Sequence, residues 1–213
     1  WEIEEKRNVG IDITAWRNAL SFTVDYFDNL RHDILLQRTT VGQAAGLQQN
    51  PFENFGKVSN KGIDASLNFN KKINDFGIGA TGTFTFARNK IIEMDEIPRA
   101  EWYQNSTGTR LGMVDGWVAE RLYTNDDFDI VTNAVTGVKT YSLKAGLPVS
   151  RLGNVYPGNI KYADLNGDGL INEFDWTKHV AGAKPSNPEI IYGFGVNADY
   201  KGFYASAFFQ GVA

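Results

Sequence analysis

Six stretches of this chain alternate apolar with small polar residues at a period of two, the pattern of a strand with one apolar and one wet face. The first sets Val9, Ile11, Ile13 and Ala15 against Asn8, Gly10, Asp12 and Thr14, and the second sets Leu20, Phe22, Val24 and Tyr26 against Ser21, Thr23 and Asp25. The third opposes Ile63, Ala65, Leu67 and Phe69 to Asp64, Ser66, Asn68 and Asn70; the fourth opposes Ile78, Ala80, Phe84 and Phe86 to Gly79, Thr81, Thr83 and Thr85. In the fifth, Tyr192, Phe194, Val196, Ala198 and Tyr200 face away from Gly193, Gly195, Asn197 and Asp199. In the sixth, Phe203, Ala205, Ala207 and Phe209 face away from Tyr204, Ser206 and Gln210. Helical periodicity is hard to find, so the expected class is all-β with antiparallel strands.

The connections between these runs follow a rhythm. Arg17-Asn18, Asn74-Asp75 and Lys201-Gly202 read as hairpin turns, because short polar or glycine pairs between alternating runs close antiparallel neighbours. The intervening connections are long. Strands are expected at approximately 1–16, 20–37, 56–72, 76–92, 189–200 and 203–213, with long loops over 38–55 and 93–188. Short turns on one side and long loops on the other are the pattern of an outer-membrane β-barrel, with short periplasmic turns and long extracellular loops. Aromatic residues beside the short turns, Trp16, Phe76, Tyr200 and Phe203, stand where an interfacial girdle would. A soluble β-sandwich also alternates, since one face of each sheet meets the core, and periodicity alone does not separate the two.

Composition removes other classes. The chain has 213 residues and no Cys, which excludes a disulfide framework and thiolate chemistry, and its two His make a multi-histidine metal centre a poor expectation. With 21 basic and 25 acidic side chains it carries no basic excess for nucleic acid. No apolar run approaches the ~18 residues of a membrane helix, which leaves the membrane barrel open. Glycine makes up 22 residues against two Met, a balance suited to sheets with tight bends. The chain starts at Trp1 and stops within an apolar alternation at Gly211-Val212-Ala213, so it reads as a fragment of something longer.

One segment has cation-ligand spacing. Counted from Asp164, oxygen donors fall at positions 1, 3 and 5 (Asp164, Asn166, Asp168), Gly169 at 6 allows a sharp turn, and Leu170 at 7 offers a carbonyl. Asn172 at 9 and Asp175 at 12 complete the set, matching the loop that wraps a hard cation such as Ca2+. Asp175 is the departure, since a Glu there reaches more easily as a bidentate ligand. Consecutive Asx and glycine turns are the other reading of the same residues. An ion here would rigidify a long loop rather than catalyse. Elsewhere, His32 and His179 have no companion pattern, and Glu2, Glu4 and Glu5 beside Lys6 and Arg7 read as a solvated strand end. The Asp126-Asp127-Phe128-Asp129 run offers a second ion site as one reading, with a solvated loop the better expectation. No nucleophile motif, phosphate loop or paired catalytic carboxylates are found, so no enzyme is expected.

These segments resemble a known family. Trp1-Glu2 with Asn8-Val9-Gly10-Ile11-Asp12, Val24-Asp25-Tyr26-Phe27 with Asp33-Ile34-Leu35-Leu36, and Asn54 through Asp64 are similar to strands in the C-terminal barrel region of SusC/RagA-type TonB-linked outer-membrane transporters of Bacteroidetes. The most specific stretch is Pro157-Gly158-Asn159-Ile160-Lys161-Tyr162 running into the acidic loop, followed by Pro188, Tyr192-Gly193-Phe194 and Phe208-Phe209-Gln210-Gly211. Gly108 to Phe128, around Asp115-Gly116-Trp117, is a weaker match.

The resemblance implies a plugged barrel of about 22 strands that imports large nutrients, oligosaccharides or peptides. It also implies a TonB complex as the energy source, a SusD-like surface lipoprotein as the lid, and outer-membrane lipid against the apolar faces. The plug is expected to lie outside this chain, whose part would be wall and loops. The competing expectation is a secreted β-sandwich that binds glycans through Trp102, Trp117 or Trp176 and uses the acidic loop as a structural calcium site.

Overall fold

The computed structural model describes residues 1–42, 44, 46–180 and 187–213, so Gln43, Ala45 and 181–186 within the two long connections lie outside the described residues. In chain order the strands are β1 (Ile3–Ala15), β2 (Leu20–Gln37), β3 (Phe52–Ile73), β4 (Phe76–Glu93), β5 (Ala119–Leu122), β6 (Phe128–Thr132), β7 (Lys139–Leu143), β8 (Val149–Ser150), β9 (Ile160–Tyr162), β10 (Leu170–Ile171), β11 (Ile190–Tyr200) and β12 (Phe203–Val212). The six alternating runs form one antiparallel sheet in the order β1-β2-β3-β4-β11-β12.

Register carries the alternation from strand to strand. Ile13 pairs with Phe22, Phe22 with Leu67, Leu67 with Gly82, Gly82 with Phe194, and Phe194 with Phe209. Directly opposed residues point to the same side of a sheet, so one face is apolar across all six strands. The other face carries Asp12, Thr23, Ser66, Thr83, Gly193 and Gln210 in a single row.

The apolar face has two limits. Towards the hairpins it ends in the row Ile73, Phe76, Tyr200 and Phe203, and at the other end the row Val9, Tyr26, Ile63 and Phe86 gives way to Arg7, Asp28, Lys61 and Arg88. Ile63 to Ile73 on β3 is ten steps. At ~3.4 Å per step and a barrel-like tilt near 40° this projects to about 25 Å, the height of the apolar band on an outer-membrane barrel. Lys71 on this face lies one row from the hairpin edge, where its stem can reach the interface. At 22 residues β3 outruns the ~9–11 needed to span.

This sheet has no core of its own. Val9, Ile11 and Phe209 remain 71%, 57% and 56% exposed, whereas a sandwich would cover them with a second sheet. The remaining sheets have two strands each, too small for that role. The β-sandwich expectation therefore fails, and the architecture is a section of barrel wall.

The hairpins use left-handed backbone. Lys201 and Gly202 both have positive φ (47° and 91°), as a type I′ turn requires. Trp16, Arg17 and Asn18 take positive φ in succession without a glycine. Asp33 (φ 55°) marks a bulge in β2, where the register to β3 shifts between Arg31 and Ile34. Beyond it β2 and β3 stay paired to Gln37 opposite Phe52, so β3 starts at Phe52 rather than near 56 and the connection is shorter than 38–55.

The second long connection is a structured unit, Pro98–Ser106 with Met113–Ala183, distinct from the sheet unit of Trp1–Ile97, Thr107–Gly112 and Lys184–Ala213. In place of an irregular loop over 93–188 it holds three small ladders: β5 with β9, the hairpin β6 with β7, and the parallel pair β8 with β10. Its core is Tyr103, Tyr123, Phe128 and Ile171.

Candidate functional site

The polar face of the sheet carries short hydroxyl, amide and carboxylate side chains, together with Phe27, Tyr204 and Phe208. Thr23 donates to Asp12 (2.6 Å) and Thr81 to Asn68 (3.1 Å). Asp25 stands opposite Asp64, and like charges facing across a pair repel. Asp25 lies over Gly10, where an added Cβ would stand 2.2 Å from its Oδ1. Phe27 lies over Gly62 in the same way, and Phe208 over Gly193 and Gly195. Glycines on this face thus let neighbouring side chains lie flat, keeping space in front of the wall.

The acidic loop holds itself in shape through its carboxylates. Asp164 accepts from the amides of Gly167 (2.7 Å), Asp168 (3.2 Å) and Gly169 (2.8 Å), and Asp168 accepts from Leu170 N (2.8 Å). Asn166 and Asp168 exchange further bonds, each at 3.1 Å. Asp175, wholly buried, accepts from Leu165 N and Asn172 N, each at 2.8 Å, and Asn172 caps the turn Glu173–Asp175 through Phe174 N at 2.7 Å. Leu170 lies in β10. The structure brings Asp164, Asn166 and Asp168 into one turn and ties Asp175 to its start. No group of three or more His, Cys, Asp or Glu is close enough to hold a metal among the described residues; the oxygens the loop offers are of mixed carboxylate, amide and carbonyl type.

The other sequence candidates make the following contacts. Trp117 packs edge-on to Trp176 with ring centroids 4.4 Å apart and donates its indole N–H to Asn172 O (2.8 Å), so neither ring is a free platform. Trp102 is exposed and leans on His179. His32 lies between Glu5 (3.6 Å) and Asp33 (3.2 Å). Asp127, read as part of a solvated run, is buried: Arg121 grips it with two bonds of 2.6 Å and Thr124 N donates at 2.8 Å. Those bonds hold its carboxyl far below the usual range.

Sequence reading missed the clamp at Asp95. It accepts from Thr40 N (2.8 Å), Thr40 Oγ1 (2.7 Å), Thr39 N and Arg38 Nε (3.3 Å), tying the end of β2 to the segment after β4. Burial pushes this carboxyl up, but the bonds from Thr40 and Thr39 with the Arg38 charge outweigh it and bring it down to about 2. The partners are some 55 residues apart in sequence, and no local signal joins them.

Residues 2–203 match the family described as TonB dependent receptor-like, beta-barrel. TonB-dependent receptor P3 of Formosa agariphila is 25% identical over 99% of this chain, and TonB-dependent receptor P26 of the same organism is 27% identical over all of it. The chain spans 20% of each relative's length. Among solved structures, the RagAB peptide importer is similar in its open-open state (TM-score 0.65, 19% identity) and its closed-closed state (TM-score 0.64, 18% identity). All of this chain is covered in both, against 20% and 21% of the other. At that identity the likeness is one of fold.

Proposed function

Because this chain belongs to the TonB-dependent receptor-like β-barrel family, we propose that it forms wall and outer loops of an importer in the outer membrane of a Gram-negative bacterium. A TonB complex would act through parts of the receptor beyond these residues, a SusD-like lipoprotein would serve as the lid, and oligosaccharides or peptides would be the cargo. The observation that carries the reading is the registered pair of faces across six strands, bounded by the aromatic row at the hairpins and the charged row at Arg7, Asp28, Lys61 and Arg88. The apolar face meets lipid and the polar face meets an aqueous lumen, as in barrels generally. Similarity to a peptide importer supports peptides, and the family supports uptake; we assign the chain no catalytic role.

For the acidic loop we propose Ca2+ held by Asp164, Asn166, Asp168, Leu170, Asn172 and Asp175, with the ion bracing the loop unit. Oxygen type and spacing support it. Calorimetric titration should show calcium binding that disappears when Asp164→Ala and Asp168→Ala are combined; equal heats in both proteins remove the site. For the importer, detergent extraction from outer membranes should recover the receptor with a lipoprotein attached, and its deletion should abolish uptake of its cargo. Recovery of residues 1–213 as a monodisperse, cooperatively unfolding protein in plain buffer would sink the wall assignment.

A further inference from the structure

Asn166 and Gly167 form the single Asn-Gly pair of the sequence, and their covalent chemistry is separate from any ion binding. Both residues are exposed, so water reaches them. In such a pair the backbone nitrogen of the glycine can close a five-membered ring on the side-chain amide carbon of the asparagine, since no Cβ shields that nitrogen. The rate depends on what surrounds three groups: the N–H that must lose its proton, the carbonyl oxygen that must take up negative charge, and the amino group that must leave.

The acidic loop supplies a partner for each. Gly167 N donates to Asp164 Oδ1 at 2.7 Å, a bond that lies in the peptide plane and leaves the face of the nitrogen, where the ring would close, uncovered. Asp168 N donates to Asn166 Oδ1 at 3.1 Å, while also reaching Asp164 Oδ1 at 3.2 Å. A backbone N–H aimed at a carbonyl that is about to gain charge is how oxyanions are stabilised. Asn166 Nδ2, the leaving group, donates to Asp168 Oδ2 at 3.1 Å. Gly167 has φ 74°, and an added Cβ there would meet nothing within 4 Å among the described residues. Asn18 makes the contrast. It also has positive φ (66°), but the amide after it belongs to Ala19 and donates to a backbone carbonyl, Trp16 O at 3.2 Å, which is no base.

We propose that Asn166 is a self-modification site, deamidated by the loop that holds it. The bond from Gly167 N to Asn166 Cγ forms as the amide proton passes to Asp164. The Cγ–Nδ2 bond then breaks, and the same proton departs with the nitrogen as ammonia, with no oxidant or reductant involved. Water opens the cyclic imide at either carbonyl and leaves aspartate or isoaspartate at position 166. Either product adds a negative charge to the loop. Isoaspartate also lengthens the backbone by one methylene inside the turn that carries Gly169, whose carbonyl accepts from Val149 N at 2.9 Å, so the modification loosens the support of β8. The chemistry needs no bound ion.

The test is peptide mapping by mass spectrometry on the full receptor, kept at neutral pH with a chelator, folded in detergent and in parallel unfolded in urea. Asn166 should convert about tenfold faster in the folded receptor than in the unfolded one, the gain from oriented groups. The products should resolve into aspartate and isoaspartate peptides that carry heavy oxygen from labelled water, while Asn18 stays intact. Asp164→Asn keeps an acceptor for Gly167 N–H but is a far poorer base, and should slow conversion about tenfold or more. Gly167→Ala, whose Cβ has room but covers the nitrogen, should slow it as well. Conversion no faster in the folded receptor than in urea overturns the proposal, as does equal conversion at Asn18. So does a rate that Asp164→Asn leaves unchanged or raises, since the turn would then only permit or restrain the reaction.

Discussion

Leu67 and Ser66 are adjacent on β3 and face opposite sides of the wall, which makes them a sharp test of which side meets lipid. Leu67 lies four steps from the charged end of the apolar band at Ile63 and six from the hairpin end at Ile73, so it sits about 10 Å deep in a band of about 25 Å. An Arg near the bilayer midplane costs ~2–4 kcal/mol, so Leu67→Arg should lower the folding equilibrium by roughly 30- to 700-fold at 1.4 kcal/mol per decade. Ser66→Arg, among lumen hydroxyls, should change stability by less than about 0.5 kcal/mol. Ile73→Arg, on the lipid face but at the interface, should cost only ~0–1 kcal/mol. The assay is denaturant unfolding of the receptor in lipid vesicles, followed by tryptophan fluorescence, with heat-modifiable gel mobility as a measure of the folded fraction. The depth gradient is the decisive part, because a protein core would penalise Ile73→Arg and Leu67→Arg alike. Equal costs for Leu67→Arg and Ser66→Arg, or no difference between positions 67 and 73, would refute the assignment of faces.

Other residues give independent tests. Gly82 leaves a gap in the apolar row, with an added Cβ 3.8 Å from that of Leu67; Gly82→Ala should stabilise by about 0.5–1 kcal/mol in the same unfolding assay. Gly62→Ala should instead destabilise by about 1–3 kcal/mol, since its Cβ would stand 2.1 Å from Phe86 O and 2.4 Å from Phe27 Cζ. Asp175→Ala strands the Leu165 and Asn172 amides and should cost the loop unit about 3 kcal/mol, read as faster hydrogen exchange at those two amides. The Asp95 clamp has a carboxyl lowered to about 2 from an ordinary 3.8, so its contribution is complete above pH ~4 and is lost as pH falls through about 2. Exchange at the Thr39 and Thr40 amides should accelerate over that window in wild type and be pH-independent, once corrected for intrinsic rates, in Asp95→Asn.

The wall was legible because a pleated strand ties side-chain direction to sequence parity, so Val9 to Ala15 or Ile63 to Phe69 declare their faces without knowledge of partners. The parity signal fails where the backbone breaks it. Asp33 inserts a bulge, so the segment after it changes phase, and the start of β3 at Phe52-Glu53-Asn54-Phe55 carries no clean alternation to reveal its pairing with β2. The acidic loop was legible for the same local reason: its bonds join residues two to five apart, apart from the reach of Asp175 back to Leu165. The bonds from backbone amides to Asp164 and Asp168 are those of the Asx and glycine turns that the same spacing allows. The short strands of the loop unit were invisible, since β5 meets β9 across some forty residues and each is three or four residues long. Nor could sequence show that Asp127 is clamped by Arg121, or that the Tyr123 hydroxyl has no hydrogen-bond partner among the described residues.

Sheet and loop unit meet the cost of ordering a chain by different physics. The loop unit buries Tyr103, Tyr123, Phe128 and Ile171 and fixes its turns through Asp127 and Asp175, so part of its stability comes from within. The sheet buries little, and its apolar face gains only when lipid replaces water against it. That environment imposes a second demand. β1 and β12 each pair on one side only among the described residues, and an unpaired row of amides and carbonyls in hydrocarbon costs several kcal/mol per group. An apolar band of membrane height and two open edges can therefore coexist only if further strands close the barrel. In water the same edges and exposed aromatics, Phe203 and Phe208 among them, would drive edge-to-edge association. The six strands thus act as wall only within a closed barrel, while the loop unit draws part of its stability from its own buried groups.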